Sequence, residues 1–362
     1  MQTDILFTPV RLGAVVAPHR ILMAPLTRTR ATREHVPTDL MVEHYAQRAG
    51  AGLIIAEATM VDPTASAFWS EPGIYAREQV AGWRRVTDAV HAAHGRIFLQ
   101  LWHAGRATHP LVSGGFEPVA PSPIAIRGEI HTPAGKKDHP VPYELRDDEI
   151  PGIVNLFRLG AINARTAGFD GVEIHGANGY LIDEFLRDGS NHRRGAYGGS
   201  VDHRARFLLE VTEAVISAWS ADRVGVRLSP INSYNDMRDS DPVGTFGRVA
   251  ELLDPLGLAY LHVLEGDIEG KQTEIVLPTI REKFHGPLIG NVGHTRETAA
   301  TAILNGQLDA VAFGRPYIAN PDLARRFRLG VALNEVDPNT LYGHGAEGYI
   351  DYPALPLTLA AA

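Results

Sequence analysis

The sequence predicts an α/β protein built as a (β/α)8 barrel of the TIM type, on three observations. Eight short apolar runs recur along the chain, and segments with helical spacing separate them. Several of the runs are apolar at nearly every position, as parallel strands covered on both faces require. The first run, within RILMAPLTRTR at 20–30, is followed by no glycine fingerprint of the kind a doubly wound nucleotide-binding sheet carries there. That doubly wound sheet is the alternative architecture.

The elements follow in order. RILMAP (20–25) is the first strand, and the helical stretch after it, 38–50, stops at Gly50, a common helix terminator. GLIIAEA (52–58) is the second strand. The next helix, 77–94, sets Val80, Trp83, Val86 and Val90 on one stripe. RIFLQLWH (96–103) is the third strand. From 104 to 146 no clear period is visible, and Pro, Gly and Ser are frequent. Loops of that length in compact domains form lids or binding excursions, or are insertions without a role. Asp147 or Asp148 is placed to cap a helix beginning at Glu149, with Pro151 in its first turn. DGVEIH (170–175) is the fourth strand and RVGVRLS (223–229) the fifth, with helices at 204–219 and 242–256. AYLHVL (259–264) and PLIGN (287–291) are the sixth and seventh strands. A helix at 295–305 leads to the eighth, DAVAFGR (309–315). The last helix, 320–329, opens on Asn320 and Pro321, a cap followed by proline. No repeat or linker divides the chain, so residues 1–362 read as one domain.

Bulk properties exclude several function classes. The net charge is -8 and no basic run is long enough to track a phosphate backbone, so nucleic-acid binding lacks electrostatic support. The absence of cysteine removes disulfides, thiolate metal sites and a Cys nucleophile. MQTDILFTPVRLG has no charged region followed by an apolar one, and no apolar stretch reaches the roughly 18 residues of a membrane helix. A cytoplasmic enzyme is the expectation.

In such a barrel the chemistry sits at the C-terminal strand ends. The first strand delivers Ala24, Pro25, Leu26 and Thr27, and the second Glu57, Ala58 and Thr59. The third brings Gln100, Trp102 and His103; the fourth His175, then Asn178 and Tyr180. Arg227 follows on the fifth, His262 and Glu265 on the sixth, Asn291 and Gly293 on the seventh, Gly314 and Arg315 on the eighth. The four lysines (Lys136, Lys137, Lys271 and Lys283) lie elsewhere, which argues against Schiff-base chemistry. Glu57 and Glu265 do not make an oxygen-rich Mg²⁺ site. His103, His175 and His262 lack the carboxylate pattern that would mark zinc. A polar, largely uncharged set with arginines remains, suited to a planar hydrogen-bonding cofactor with a phosphate tail. Gly293 and Gly314, each just before a helix start, together favour phosphate at the last two strands, although either alone is more often a plain turn residue.

At this point the chain resembles the old yellow enzymes, the FMN-dependent ene-reductases, and most nearly their bacterial nitroester, enoate and N-ethylmaleimide reductases. The matching segments are LFTPVRLG, APLTR, QRAGAGLIIAEAT, QLWHAGR, HGANGYLIDEFL, YGGS, RLSP, AFGRPYIANPDL and AEGYIDYP. The resemblance implies non-covalent FMN on top of the barrel and NADPH or NADH as reductant. It implies hydride transfer through flavin N5 to the β-carbon of an alkene conjugated to a carbonyl or nitro group. Thr27 would bond the flavin C4 oxygen, Gln100 the pyrimidine edge, and Arg227 the region of N1 and the C2 oxygen. Ala24, Pro25, Leu26, Ala58, His175 and Asn291 would make further cofactor contacts, with Gly293, Gly314 and Arg315 around the phosphate. His175 and Asn178 would donate to the activating oxygen, and Tyr180 would protonate the α-carbon. Thr27, Phe68, Trp102 and Tyr349 would line the substrate side with His175 and Asn178.

Read in isolation, a strand-end His is a structural hydrogen-bonder, an Asn before Gly a turn residue, and a Tyr opening a helix a packing anchor. The chain departs from its relatives at Gly195, His203 and Phe68, where they usually carry Asp, Asn and, in several bacterial members, Tyr. Nitroesters and quinones are further acceptors the resemblance admits, and the oligomer is a monomer or homodimer. The different-class alternative is a barrel that binds a phosphorylated ligand without redox chemistry, as an isomerase or sensor.

Overall fold

The computed structural model describes residues 2–356. Eight parallel strands close a barrel in sequence order. They are β1 (Ile21–Met23), β2 (Ile54–Met60), β3 (Ile97–Trp102), β4 (Gly171–Gly176), β5 (Val224–Leu228), β6 (Tyr260–Leu264), β7 (Leu288–Asn291) and β8 (Ala310–Phe313). Each falls on one of the eight apolar runs. The outer helices are α1 (Asp39–Gln47), α2 (Arg77–Ala92), α3 (Ile150–Thr166), α4 (Val201–Ala218), α5 (Pro242–Leu253), α6 (Leu277–Lys283), α7 (Arg296–Leu304) and α8 (Leu323–Leu329). No helix among the described residues is long and apolar enough to cross a membrane.

Two helix starts differ from expectation. Glu149, not an aspartate, precedes α3, and no side chain caps it. Asp147 pairs instead with Arg193, and Asp148 with Arg146. Asn320 does not open the last helix either. Its amide donates to the Pro316 and Asn334 carbonyls, and α8 begins three residues later, after a short helix at Arg315–Ala319. The periodicity also gives no sign of α6, a seven-residue helix with one buried side chain, Ile280.

Alternation along the strands builds two cores. Residues pointing outward, such as Leu99, Leu101, Val172, Ile174 and Val226, pack with the helices, each burial favouring the fold by roughly 1.5–3 kcal/mol. Residues pointing inward form layers. The lowest layer is apolar: Leu22, Ile55, Phe98, Tyr260 and Ile289 pack with Leu12 and Ala17 from an N-terminal hairpin, Val10–Leu12 with Val15–Ala17. One pleat nearer the C-terminal strand ends stand Gln100, Glu173, Arg227, His262 and Asn291, all buried. The barrel therefore changes from apolar to polar toward its C-terminal end. A bulge in β2, where Ala56 to Thr59 opposes Leu99 to Leu101, interrupts the pairing beside that polar layer.

The excursion at 104–146 is not structureless. It carries an antiparallel hairpin, Glu129–Thr132 with Gly135–Asp138, and is tied down by Arg106. The Arg106 guanidinium donates to the Ile124 carbonyl at 3.0 Å and, across to the loop after β5, to the Asn235 carbonyl at 3.2 Å.

Candidate active site

A cavity of about 650 Å³ opens over the C-terminal end of the barrel. Its wall includes Ala24, Pro25, Leu26, Thr27, Ala58, Gln100, His175, Asn178, Tyr180, Arg227, Asn291, Gly293, Gly314 and Arg315. Two hydrogen-bonded groups set the polarity of its floor. His262 donates through Nδ1 to Glu173 at 2.9 Å, and Gln100 donates through Nε2 to the other Glu173 oxygen at 2.7 Å. Burial pushes the Glu173 carboxyl up, but His262 and Arg227 outweigh it and leave the group below its ordinary value, hence ionised. Burial lowers the His262 pKa and the Glu173 carboxylate opposes that shift; Nδ1 donates to Glu173 in either state of the ring. Because an ionised carboxylate only accepts, the Gln100 amide must turn its NH₂ to Glu173 and leave Oε1 for the cavity. Arg227 donates to Asn291 Oδ1 at 2.7 Å, and Asn291 in turn to the Ala312 carbonyl at 2.6 Å. The buried Arg227 Nε has no partner among the described residues.

The rim opposite is built by the turn after β4. Gly179 takes φ +70°, and a Cβ there would stand 2.6 Å from Met237 and 2.9 Å from the Tyr234 carbonyl, so only glycine lets the two loops meet. Asn178 is also left-handed, at φ +59°. Three bonds hold it: its N–H donates to Ser229 Oγ at 2.7 Å, its carbonyl accepts from Asn235 at 2.9 Å, and its Oδ1 accepts from Asn232 Nδ2 at 2.9 Å. Its own NH₂ is therefore free to face the cavity. His175 Nδ1 accepts the Ala177 N–H at 3.3 Å, which assigns its proton to Nε2. Burial, then Arg227 and His262, hold this imidazole well below its ordinary pKa, so it is a neutral donor.

Tyr180 is wedged edge-on between two rings, 5.1 Å from Trp102 and 5.0 Å from His175. Its hydroxyl makes no hydrogen bond among the described residues, and burial raises its pKa well above the usual phenol value. The ring is fixed and its proton retained. Tyr180 also borders a larger outer cavity of about 1030 Å³, whose far wall is the excursion from Ile126 to Pro133. Phe68, Tyr234 and Tyr342 border both spaces.

Two expected substrate contacts are placed elsewhere. Trp102 is fully buried and lines neither cavity; it backs Tyr180 and lies 6.0 Å from Phe68. Tyr349 is buried under the C-terminal segment, stacked on His44 at 3.9 Å with the Arg30 guanidinium 4.7 Å from its ring. Tyr342 occupies the cavity position instead, parallel to Phe68 at 6.1 Å. The cause lies in Arg28 and Arg30, which bind the carbonyls of Leu341, Gly348 and Glu347 and strap that segment over the barrel. Glu173, Asn232, Tyr234 and Tyr342 escaped the sequence reading. Only Glu173 had a signal: it stands two residues before His175 on a strand, and so on the same face.

The phosphate end is more open. Gly293 has φ +81° and an added Cβ would meet nothing within 4 Å, while Arg315 is exposed and unpaired among the described residues. Glu265 is bonded to His294 at 2.8 Å, away from the floor network. Among the described residues no three His, Asp or Glu side chains converge as a metal centre needs.

The profile of the NADH:flavin oxidoreductase / NADH oxidase family matches residues 5–334. The chain is 46% identical, over 97% of each chain, to a probable flavin mononucleotide-dependent alkene reductase of Leishmania infantum. It is 44% identical to 12-oxophytodienoate reductase 7 of Oryza sativa subsp. japonica, over 97% of this chain and 94% of that one. The structure superposes on the old yellow enzyme homologue from Zymomonas mobilis with a TM-score of 0.95 at 48% identity, covering 97% of this chain and 99% of the other. With the barrel, the polar floor and the His–Asn–Tyr rim in place, the chain belongs to the NADH:flavin oxidoreductase / NADH oxidase family, that of the old yellow enzymes.

Proposed function

We propose that the protein is an FMN-dependent alkene reductase, drawing electrons from NADPH or NADH and reducing a C=C bond conjugated to a carbonyl or nitro group. The observation that carries this reading is the split polarity of one cavity. Its floor offers an acceptor, Gln100 Oε1, beside the Arg227 guanidinium; its rim offers two donors and a phenol.

The residues fit the cofactor. Gln100 Oε1 is placed to accept the pyrimidine N3–H, and the unpartnered Arg227 Nε suits the electron-rich N1 and C2-oxygen side. Thr27 serves the C4 oxygen, while Ala24, Pro25, Leu26 and Ala58 offer backbone and small side chains that let a flat ring approach. Asn291 joins the floor through Arg227, and the open space at Gly293, with Gly314 and Arg315, takes the phosphate. The volume lies within the range of cofactor sites. FMN, when bound, supplies the two-electron chemistry that no side chain here can.

The chain's own groups do the rest. His175 Nε2–H and the Asn178 NH₂ bind the activating oxygen and stabilise the negative charge that develops on it. Tyr180, held edge-on with its proton retained, gives that proton to the α-carbon as a general acid. Phe68, Tyr234 and Tyr342 shape the substrate side. We assign nitroesters and quinones to the same cavity, and read the chain as one cytoplasmic catalytic domain, a monomer or homodimer.

The absorbance spectrum of the purified protein tests the reading, followed by anaerobic turnover with 2-cyclohexenone. A flavin spectrum bleached by NADPH and restored by the enone is expected. A colourless protein that takes up no added FMN would overturn it.

A further inference from the structure

The Asn178 amide can offer either end to the cavity, and only its NH₂ can stabilise an oxyanion. Rotation about its last torsion costs little, so something outside the side chain must choose. The hydrogen bonds around Asn232 make the choice. The backbone N–H groups of Ile268 and Tyr234 donate to Asn232 Oδ1 at 3.2 and 3.4 Å. A backbone N–H cannot accept, so the oxygen end of Asn232 is pinned toward them. Its Nδ2 must then point the other way, where it donates to Asn178 Oδ1 at 2.9 Å. That bond turns the Asn178 NH₂ to the cavity.

Asn232 is fully buried and borders neither cavity. Its carbonyl is held as well, accepting from Arg187 at 3.0 Å, and Arg187 is ion-paired with buried Asp183. We infer that Asn232 is a positioning residue that sets the polarity of the rim, transmitting the direction of two backbone N–H groups to the substrate-facing end of Asn178. The inference rests on the alkene-reductase reading. It predicts that the site prefers ligands with a strongly accepting or anionic oxygen.

The test uses FMN-loaded protein and 4-chlorophenol, whose phenolate gives a long-wavelength charge-transfer band with flavin. Asn232→Asp preserves shape and still accepts both backbone N–H groups. Its second oxygen, however, demands a donor, so Asn178 turns its NH₂ inward and its Oδ1 to the cavity. Phenol affinity should fall on the order of tenfold or more relative to wild type. The ratio should grow with rising pH, because the introduced carboxyl, when protonated, can still donate to Asn178. Asn232→Leu leaves the two N–H groups unpaired but lets Asn178 select either end, so its affinity loss should be smaller although its melting temperature is lower.

A purely structural role reverses that order, with Leu worse than Asp in binding as in stability, and would overturn the inference. In an Asn178→Ala background, Asn232→Asp should add no further weakening. Persistence of the full effect there would mean plain charge repulsion, and would overturn it too. Should the Asp variant not fold, Asn232→Leu carries the test: its smaller loss must vanish in the Asn178→Ala background. Wild-type protein showing no charge-transfer band would defeat the alkene-reductase reading itself, whereas a band unaffected by these variants defeats only the role of Asn232.

Discussion

The floor and the rim of the cavity each present a primary amide, and the two face inward with opposite ends. Gln100 turns its oxygen to the cavity because Glu173, an acceptor, holds its nitrogen; Asn178 turns its nitrogen there because Asn232, a donor, holds its oxygen. Different forces make the settings. On the floor a buried carboxylate, ionised beside His262 and Arg227, imposes direction through charge. At the rim two backbone N–H groups, at 3.2 and 3.4 Å, impose it through neutral bonds. An ion in the interior is stronger and less forgiving than a relay of amides. The floor should therefore resist change until it fails, and the rim should yield by degrees.

The largest effect expected is at Glu173. Replacing it with Leu leaves Arg227 and the polar layer without their buried anion. Breaking a buried ionic group in this way costs about 3–5 kcal/mol. Denaturant unfolding of the flavin-free protein should show that loss, and the folded variant should release FMN on gel filtration. A Leu variant unfolding at the wild-type denaturant concentration would erase the distinction between floor and rim.

Next is Tyr180. General acid catalysis commonly contributes a hundredfold or more. Tyr180→Phe keeps the edge-on packing against Trp102 and His175, so only the proton is removed. In stopped flow, flavin reduction by NADPH should keep its rate while reoxidation by 2-cyclohexenone slows about a hundredfold. Equal slowing of both steps would mean that Tyr180 shapes the rim and does not serve as its acid.

The same contrast explains what could be read in the sequence. The eight strands were legible because each is a bounded apolar run, and Gln100, Arg227 and Asn291 because each stands at or near the C-terminal end of such a run. The direction of an amide is not legible, since its two ends are one residue type and the partner that selects between them comes from another loop. Asn232 lies 54 residues from Asn178. Tyr342 was missed, and Tyr349 assigned to the cavity, for a related reason. Which aromatic reaches the site depends on how Arg28 and Arg30 strap a segment more than 300 residues away. Periodicity carries no record of such contacts.

A second buried carboxylate sharpens the role of charge. Glu184, like Glu173, is fully buried, but its principal partner is the Arg106 backbone N–H at 2.8 Å and its other oxygen has none among the described residues. Burial pushes its pKa up to about 8, opposed only in part by Arg106, whereas Glu173 is lowered. Between the unfolded value near 4.5 and about 8, the folded protein thus holds a proton at Glu184 that the unfolded chain has released. Stability from this group is full at low pH and is lost as pH rises, by about 1.4 kcal/mol per unit. Glu57, raised by burial to about 7, acts in the same direction. The buried histidines, lowered by burial, act the opposite way through pH 6.5, so the test is a difference: from pH 6.5 to 7.5 Glu184→Gln should gain stability relative to wild type, its slope against pH being the more positive. An unchanged slope in the Gln variant would show that Glu184 is ionised in the folded protein.

The smallest effect separates the two C-terminal tyrosines. Tyr342 is 62% exposed and parallel to Phe68 at the mouth of the cavity, where one aromatic contact is worth roughly 0.5–1.5 kcal/mol. Tyr342→Ala should raise KM for a cyclic enone about threefold, with kcat and flavin content little changed. Tyr349 is fully buried and its hydroxyl has no partner among the described residues. Removing an unsatisfied buried hydroxyl relieves a desolvation cost, so Tyr349→Phe should leave KM alone and hold or slightly raise the melting temperature. The stack on His44 and the cation–π contact with Arg30 survive in Phe, which keeps the strap closed. A raised KM in Tyr349→Phe, with Tyr342→Ala silent, would mean the strap sits in another register. It would then be Tyr349, not Tyr342, that meets the substrate.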